Sequence, residues 1–158
     1  MMKKTVLLSL AVLALAALAC AADDKPNFTG KWVLDVEKSD FGPLPPPTSQ
    51  SQEIDHKDPK LKVKSTSKNA QGERTSEASY TTDGEENTNP GPQGADVKSR
   101  TKWDGKKLVT QRKLQAQGMD IEISDSQEMA EDGKSFTVER QLKTPQGDIA
   151  QKLLFKKE

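Results

Sequence analysis

Cysteine, histidine and aromatic residues are all scarce in this 158-residue chain. It contains one cysteine, Cys20, and one histidine, His56. A single cysteine cannot build a disulfide framework, so burial and backbone pairing must hold the fold. The same scarcity excludes a zinc site built on cysteine and leaves His56 without the further ligands that a metal needs. We therefore expect neither a metal nor another cofactor.

Apolar residues and net charge are also low. Hydrophobic residues make up 32% of the chain, which predicts a thin core, and 24 basic residues balance 24 acidic ones. A balanced charge gives no electrostatic reason to bind nucleic acid, so we expect no DNA or RNA partner.

Residues 1–22 have the three parts of a secretory signal. Lys3 and Lys4 form a positive start, and residues 5–18 are almost entirely apolar. Ala17 and Ala19 supply the small-residue pattern that precedes cleavage. The apolar run is too short to cross a bilayer comfortably, and no stop-transfer sequence follows it. The sequence therefore predicts export to the periplasm or the extracellular space, as one domain of residues 23–158 without a membrane span.

Cys20 leaves two outcomes open. It is removed with the signal, or it becomes the acylated first residue of a bacterial lipoprotein and tethers the domain to a membrane. The position three residues before it is Ala17, where lipoprotein signals usually have leucine. We favour removal over a lipid anchor at Cys20.

Apolar residues alternate with polar ones along most of the remaining chain, and helical periodicity is almost absent. Alternation with a period of two is the pattern of strands that are half buried. It predicts an all-β domain of about nine strands. One inner residue from each of these strands illustrates the pattern: Trp32, Ile54, Leu61, Tyr80, Trp103, Leu108, Ile121, Phe136 and Leu153.

Three Asp-Gly pairs indicate hairpins between neighbouring strands. Asp83-Gly84, Asp104-Gly105 and Asp132-Gly133 are dipeptides that suit the positive φ angles of tight primed turns. Successive hairpins give an antiparallel meander. A meander of this size forms either a closed β-barrel or a β-sandwich, and we favour the barrel because closure removes the edges that promote aggregation.

Two proline-rich segments interrupt the alternation. The segment 41–47, Phe-Gly-Pro-Leu-Pro-Pro-Pro, is either a stiff loop or a ligand for a proline-reading partner, and its position inside the domain favours the loop. The segment 89–94 contains prolines that cannot donate to a central ladder, so it is predicted to be a long turn.

The segment 28–34, Phe-Thr-Gly-Lys-Trp-Val-Leu, resembles the Gly-x-Trp start of lipocalins in the calycin superfamily. The whole chain is also similar to small secreted bacterial lipocalin-like proteins of unknown function. The resemblance implies an up-and-down barrel that holds a small apolar ligand. It also implies that Gly30 and Trp32 belong to a motif that closes one barrel end. In lipocalins an arginine covers this tryptophan, and Arg140 is the candidate here.

The alternation also places polar side chains on inner faces. It puts Arg112 between Leu108 and Leu114, and Arg140 between Val138 and Leu142. A buried guanidinium needs a partner, so either an internal ion pair with Asp125 or exposure at a barrel rim is the favoured reading. The alternative is that both arginines anchor the acidic head of an amphiphile.

The candidate ligand site therefore comprises five residues, on the hypothesis that the barrel holds a ligand. Trp103 and Tyr80 could form an aromatic wall with Trp32, although ordinary packing is the simpler interpretation. The set is Arg112, Arg140, Tyr80, Trp103 and His56.

No arrangement of nucleophile and base is recognisable around the lone histidine, so we do not expect an enzyme. Two functions remain open. One is a carrier or sensor of a small apolar or amphiphilic molecule, and the other is a structural or interaction module of the cell envelope.

Overall fold

The protein folds into one sheet of ten antiparallel strands in this computed structural model, which describes residues 24–158. The predicted secretory signal and Cys20 lie outside the described residues. The strands are β1 (Gly30–Leu34), β2 (Ser49–Lys57), β3 (Lys60–Asn69), β4 (Gly72–Thr81), β5 (Asp83–Pro90), β6 (Asp96–Asp104), β7 (Lys107–Ala116), β8 (Met119–Met129), β9 (Ser135–Thr144) and β10 (Gly147–Lys157).

The sheet curls into a nearly closed barrel. Its strands run in the order β4-β3-β2-β1-β10-β9-β8-β7-β6-β5, so almost every strand pairs with its neighbour in the sequence. The pairing of β1 with β10 joins the two ends of the chain. This arrangement confirms the predicted antiparallel meander and its closure into a barrel.

The structure has ten strands where the alternation predicts about nine, and the additional strand is β5. Its inner positions carry Asn87 and Asn89, so the strand gives no apolar alternation. The predicted hairpin turn at Asp83-Gly84 is wrong. Gly84, with φ +84°, lies in an irregularity of the pairing between β5 and β6. Within residues 24–158, no backbone ladder joins β4 to β5.

Side chains close this seam between β4 and β5. The Asn89 Oδ1 atom accepts a hydrogen bond of 2.7 Å from the Ser79 backbone N–H, and its Nδ2 donates to the Ser79 carbonyl at 3.0 Å. Asn87 Oδ1 accepts another, of 2.8 Å, from the Thr81 N–H. The two side-chain amides thus take the place that peptide groups occupy in an ordinary ladder.

The other two Asp-Gly pairs do lie in hairpin connections. Gly105, with φ +59°, begins a two-residue connection between β6 and β7, as the predicted tight turn requires. Gly133, with φ +67°, lies in the longer connection of residues 130–134. The hairpin predicted there is confirmed, but the tight turn is not.

The proline-rich segment 41–47 is part of a loop, residues 35–48, that we call the strap. Because β1 is short, most of β10 would lack a neighbour on that side. The strap supplies one: Asp40 and Lys152 exchange backbone hydrogen bonds of 2.7 and 2.8 Å. Gln151 Nε2 also donates to the Phe41 carbonyl at 3.0 Å. The segment is therefore a loop, as favoured from the sequence.

Aromatic rings fill one end of the barrel, which we call the closed end. The Phe136 ring lies 4.8 Å from the Trp32 ring, 5.0 Å from Phe155 and 5.5 Å from Phe28, measured between centroids. All four side chains are at most 1% exposed. Trp32 Nε1 donates to the Phe28 carbonyl at 2.8 Å, which satisfies its buried N–H. Most of the largest fully buried side chains therefore lie at this end.

No helix within residues 24–158 is both long and apolar enough to span a membrane.

Candidate functional site

Three charged side chains meet inside the barrel, one from each of the strands β7, β8 and β9. Asp125 lies between two arginines: its Oδ2 accepts from Arg112 Nη2 at 2.5 Å and from Arg140 Nη2 at 3.0 Å, and its Oδ1 accepts from Arg140 Nε at 2.7 Å. We call these residues the Arg-Asp-Arg cluster. It contains the internal ion pair that the sequence predicted.

The position of the cluster follows from the strand register. Asp125 is the cross-strand partner of Arg140, and it stands opposite Thr110 on its other side. Arg112 starts one inner position further along β7, and its side chain reaches back to the same carboxylate. The alternation of inner and outer positions therefore brings all three charges to one level of the barrel.

The cluster has a net charge of +1, because two guanidinium groups share one carboxylate. Burial by itself would raise the pKa of Asp125. The charges and hydrogen bonds of Arg140 and Arg112 outweigh burial and hold the pKa of Asp125 below its ordinary value. Asp125 is thus ionised at neutral pH, and one positive charge remains unbalanced.

Several donors of the cluster remain free. In residues 24–158, neither Arg112 Nη1 nor Arg140 Nη1 donates a hydrogen bond, and Arg112 Nε is buried without a partner. Tyr80, from β4, completes the group. Burial raises the pKa of Tyr80, so its hydroxyl stays protonated at neutral pH. The site therefore offers hydrogen-bond donors and one net positive charge to an anion.

The cluster lines a cavity of about 240 Å³. Leu61, Val138 and Phe155, which belong to the core of the closed end, form its apolar floor. The rest of the wall is mostly polar. The remaining lining residues are Gln50, Gln52, Val63, Ser65, Ser76, Ala78, Tyr80, Thr110, Arg112, Asp125, Gln127 and Arg140.

Half-buried aliphatic side chains lie on the far side of the cluster from the floor. Ile123 is the cross-strand partner of both Arg112 and Leu142, and Leu142 is the partner of Ile149. Leu114 and Ile121 follow one level higher. We call these five residues the aliphatic belt. Each of them is only partly buried, so the barrel is not packed shut at this level.

Two of the five predicted site residues lie elsewhere. His56 and Trp103 are stacked at the closed end, with ring centroids 5.8 Å apart, and neither lines the cavity. Trp103 Nε1 donates to Asp58 Oδ1 at 2.9 Å, and His56 Nδ1 accepts from the Phe28 N–H at 3.3 Å. The structure therefore separates these two residues from the other three, because their rings pack beside Phe28 and not around the cavity.

Asp58 lies at the centre of a second polar group, which also contains His56, Trp103 and Thr82. The hydrogen bond from Thr82 lowers the pKa of Asp58 most strongly, burial acts against it, and hydrogen bonds from Trp103 and His56 lower it further. Thr82, Trp103 and His56 all contact Asp58 through their side chains, and the rings of His56 and Trp103 pack against Phe28. The group stabilises the closed end.

Trp32 lies among the aromatic rings of the closed end, but Arg140, the partner that the lipocalin resemblance suggested, does not cover it. Arg140 is bound to Asp125, and Lys157 covers Trp32 instead, with Nζ 5.3 Å from the ring centroid. Gly30, at φ +145°, leaves room for this contact, because a Cβ atom there would stand 3.0 Å from Lys157 Cε. A cation therefore does stack on the tryptophan, but it comes from β10.

Sequence reasoning missed the neutral polar part of the cavity wall. Gln50, Gln52, Ser65 and Ser76 all line the cavity. The signal was present, because stepping back by two residues from Ile54 reaches Gln52 and stepping on by two from Val63 reaches Ser65. Polar residues within a predicted strand are easily assigned to the outer face.

Within the described part of the chain, no group of three or more His, Cys, Asp or Glu side chains could hold a metal ion.

Comparison with known proteins shows the fold. No protein-family model matches the sequence, and no curated protein matches it either. Several solved structures do match the fold of this chain. The fluorescent protein UnaG is 20% identical with a TM-score of 0.59, and the match covers 83% of this chain and 97% of that one.

Two further matches are named for the molecules that they bind. The zebrafish ileal bile acid-binding protein complexed with cholic acid is 14% identical with a TM-score of 0.59, covering 83% of this chain and 98% of that one. The fatty acid-binding protein from brain tissue of Drosophila melanogaster is 21% identical with a TM-score of 0.54, covering 82% and 99%. Two of these three neighbours are thus named for binding an amphiphilic acid. At these identities the likeness shows the β-barrel fold alone.

Proposed function

We propose that this protein binds a small amphiphilic acid inside its barrel, as a non-catalytic carrier or sensor. The observation that carries the proposal is the Arg-Asp-Arg cluster, which faces the 240 Å³ cavity with one unbalanced positive charge. A charge in a low-dielectric interior is costly unless a counter-ion accompanies it. A ligand carboxylate would supply that counter-ion and would accept hydrogen bonds from the free Nη1 atoms.

The geometry also orients the ligand. The acidic group lies at the cluster, and Tyr80 stands beside it as a further donor. The apolar part of the ligand has aliphatic surface on both sides of the cluster, in the floor and in the aliphatic belt. Burial of this apolar part would provide affinity, while the cluster would select for the negative charge.

The structural neighbours support the same chemistry. Three of them are named as a bile acid-binding protein, a fatty acid transporter and a fatty acid-binding protein, so several barrels of this fold are named for amphiphilic carboxylic acids. Their described roles are binding and transport, which agrees with a protein that carries out no catalysis.

The alternative function, an envelope interaction module, predicts an exposed apolar patch. Among the described residues, the large hydrophobic side chains that are exposed are Val33 and Leu44, at 40% and 39%. They lie on different elements, β1 and the strap. Isolated side chains of this kind are ordinary on protein surfaces, so this observation favours the carrier.

Calorimetric titration with octanoate and octanol tests the proposal. We expect octanoate to bind with one-to-one stoichiometry and octanol to bind at least tenfold more weakly, about 1.4 kcal/mol, because only octanoate neutralises the cluster. Arg112→Gln leaves Arg140 paired with Asp125 and a neutral cluster, so it should remove this preference. Arg100→Gln, on the outer face of β6, is the matched control. Equal binding of both ligands, or of neither, would contradict the proposal.

We also propose that the protein works outside the cytoplasm, on the strength of residues 1–22 alone. Amino-terminal sequencing of the protein purified from its native cells is the direct test. A start between residues 20 and 23 is expected, and a start at Met1 would contradict export.

A further inference from the structure

The two walls of the cavity differ in chemistry. The Arg-Asp-Arg cluster occupies β7, β8 and β9, whereas β2, β3 and β4 contribute uncharged polar groups to the same cavity. Gln52 is the cross-strand partner of Ser65, and Ser65 is the partner of Ser76. These three residues therefore form a continuous row across three strands, which we call the polar row.

The polar row has no partner in the protein itself. Throughout residues 24–158, the side chains of Gln52, Ser65 and Ser76 make no hydrogen bond. Gln52 Oε1 is buried without a partner, whereas Ser65 is half-buried and Ser76 is exposed. Polar groups of this kind usually find a partner, since an unmet hydrogen bond in a buried place is unfavourable. Purely apolar ligand surface against this row would leave the buried Gln52 Oε1 unsatisfied.

The cavity is also too small and too polar for a long unbranched acyl chain. Its volume of about 240 Å³ equals the space of roughly eight water molecules. Ten of its fifteen lining residues have polar side chains, and five are apolar. A long chain would have to leave the cavity after a few carbons, whereas a short acid with a second polar group could be enclosed by both walls.

We propose that the preferred ligand is a short hydroxylated monocarboxylate, held by its carboxylate at the cluster and by a hydroxyl at the polar row. Gln52 is then the residue that determines specificity, because its amide can both donate to and accept from a hydroxyl. This inference rests on the proposed function, and it adds the class of acid that the site selects.

The test compares octanoate with 3-hydroxyoctanoate and 8-hydroxyoctanoate by calorimetric titration. The two hydroxylated acids place the hydroxyl near to and far from the carboxylate. We expect at least one of them to bind about tenfold more tightly than octanoate, because sites built around a hydroxyl discriminate against ligands that lack it. Gln52→Leu should remove this advantage while octanoate binding is retained or strengthened.

Gln111→Leu is the matched control, since it makes the same change on the exposed outer face of β7 and should keep the preference. Thermal unfolding of each variant verifies folding, and Ser65→Ala provides a second, milder change in the same row. If octanoate binds and both hydroxylated acids bind no better, the inference is overturned while the proposed function stands. A hydroxyl preference that survives both Gln52→Leu and Ser65→Ala overturns the role of the polar row. If none of the acids binds, both proposals fail.

Discussion

The closed end of the barrel and the cavity above it are built from opposite materials. Phe28, Trp32, Phe136 and Phe155 pack against one another at the closed end and exclude water almost completely. One level above, charged and amide side chains surround an open space. The floor of the cavity is the top of the aromatic core. The large aromatic side chains are thus packed at one end, whereas the aliphatic residues of the belt at the other end are only half buried.

The energetic roles of the two regions differ accordingly. Each fully buried aromatic side chain contributes about 1.5–3 kcal/mol through burial alone. An internal ion cluster contributes little net stability, because desolvation offsets most of the Coulomb attraction. The closed end therefore holds the fold, and the low net stability of the Arg-Asp-Arg cluster agrees with the ligand-binding role that we propose for it.

The comparison predicts the largest loss of stability at the closed end. Phe136→Ala removes the ring that touches Trp32, Phe155 and Phe28, and it should lower the free energy of unfolding by about 3–5 kcal/mol. Ile123→Ala, in the half-buried aliphatic belt, should cost clearly less. Urea unfolding of both variants measures the difference. Equal losses would show that the upper barrel is as tightly packed as the closed end.

Removing one member of the Arg-Asp-Arg cluster and replacing the whole cluster with apolar residues should have different effects on the stability of the fold. Asp125→Asn leaves two arginines without a counter-charge and should destabilise the fold by about 3 kcal/mol. The triple change of Arg112→Met, Asp125→Leu and Arg140→Met should restore stability to near the wild-type value, while octanoate binding disappears. A triple variant as unstable as Asp125→Asn would instead assign the cluster a structural role.

The pH dependence of stability should carry the signature of Asp125. Its pKa in the folded state is below the ordinary value of 3.8, so its contribution is fully present above pH 3.8 and is lost as the pH falls through the lowered folded value. Wild type should therefore lose more unfolding free energy than Asp125→Asn when acidified below pH 3.8. Parallel curves for the two proteins in acid urea unfolding would contradict this account of the cluster.

The smallest expected effect is at the seam. Asn89→Ala removes the partner of the Ser79 backbone N–H, at a cost of about 1 kcal/mol. In hydrogen-exchange NMR, the Ser79 amide should exchange roughly tenfold faster. The Thr81 amide, which is bound by Asn87, is the internal control and should change little. Unchanged exchange at Ser79 would show that the asparagine does not close the seam.

Most of the architecture could be predicted from the alternation of apolar residues. The strands that carry Leu, Ile, Val and Phe on their inner faces were identified, and the inner-face arginines led to the Asp125 ion pair. The strand β5 was missed because Asn87 and Asn89 occupy its inner positions, and alternation is only visible where inner residues are apolar.

The errors in the candidate site share a different cause. Alternation tells which face a residue is on, but the level along the barrel depends on register and strand tilt. His56 and Trp103 were on the correct face and at the wrong level, below the floor. Arg140 was likewise an inner residue, but Asp125 lies beside it and Trp32 does not.

The most direct measurement of the central claim is an NMR titration that follows the arginine Nε–H signals while 3-hydroxyoctanoate is added. The account predicts that the Arg112 and Arg140 signals shift together and saturate at one equivalent, while the signal of the outer residue Arg100 stays in place. Shifts at Arg100 alone, or a titration that moves none of the three, would contradict a barrel that holds acids at the Arg-Asp-Arg cluster.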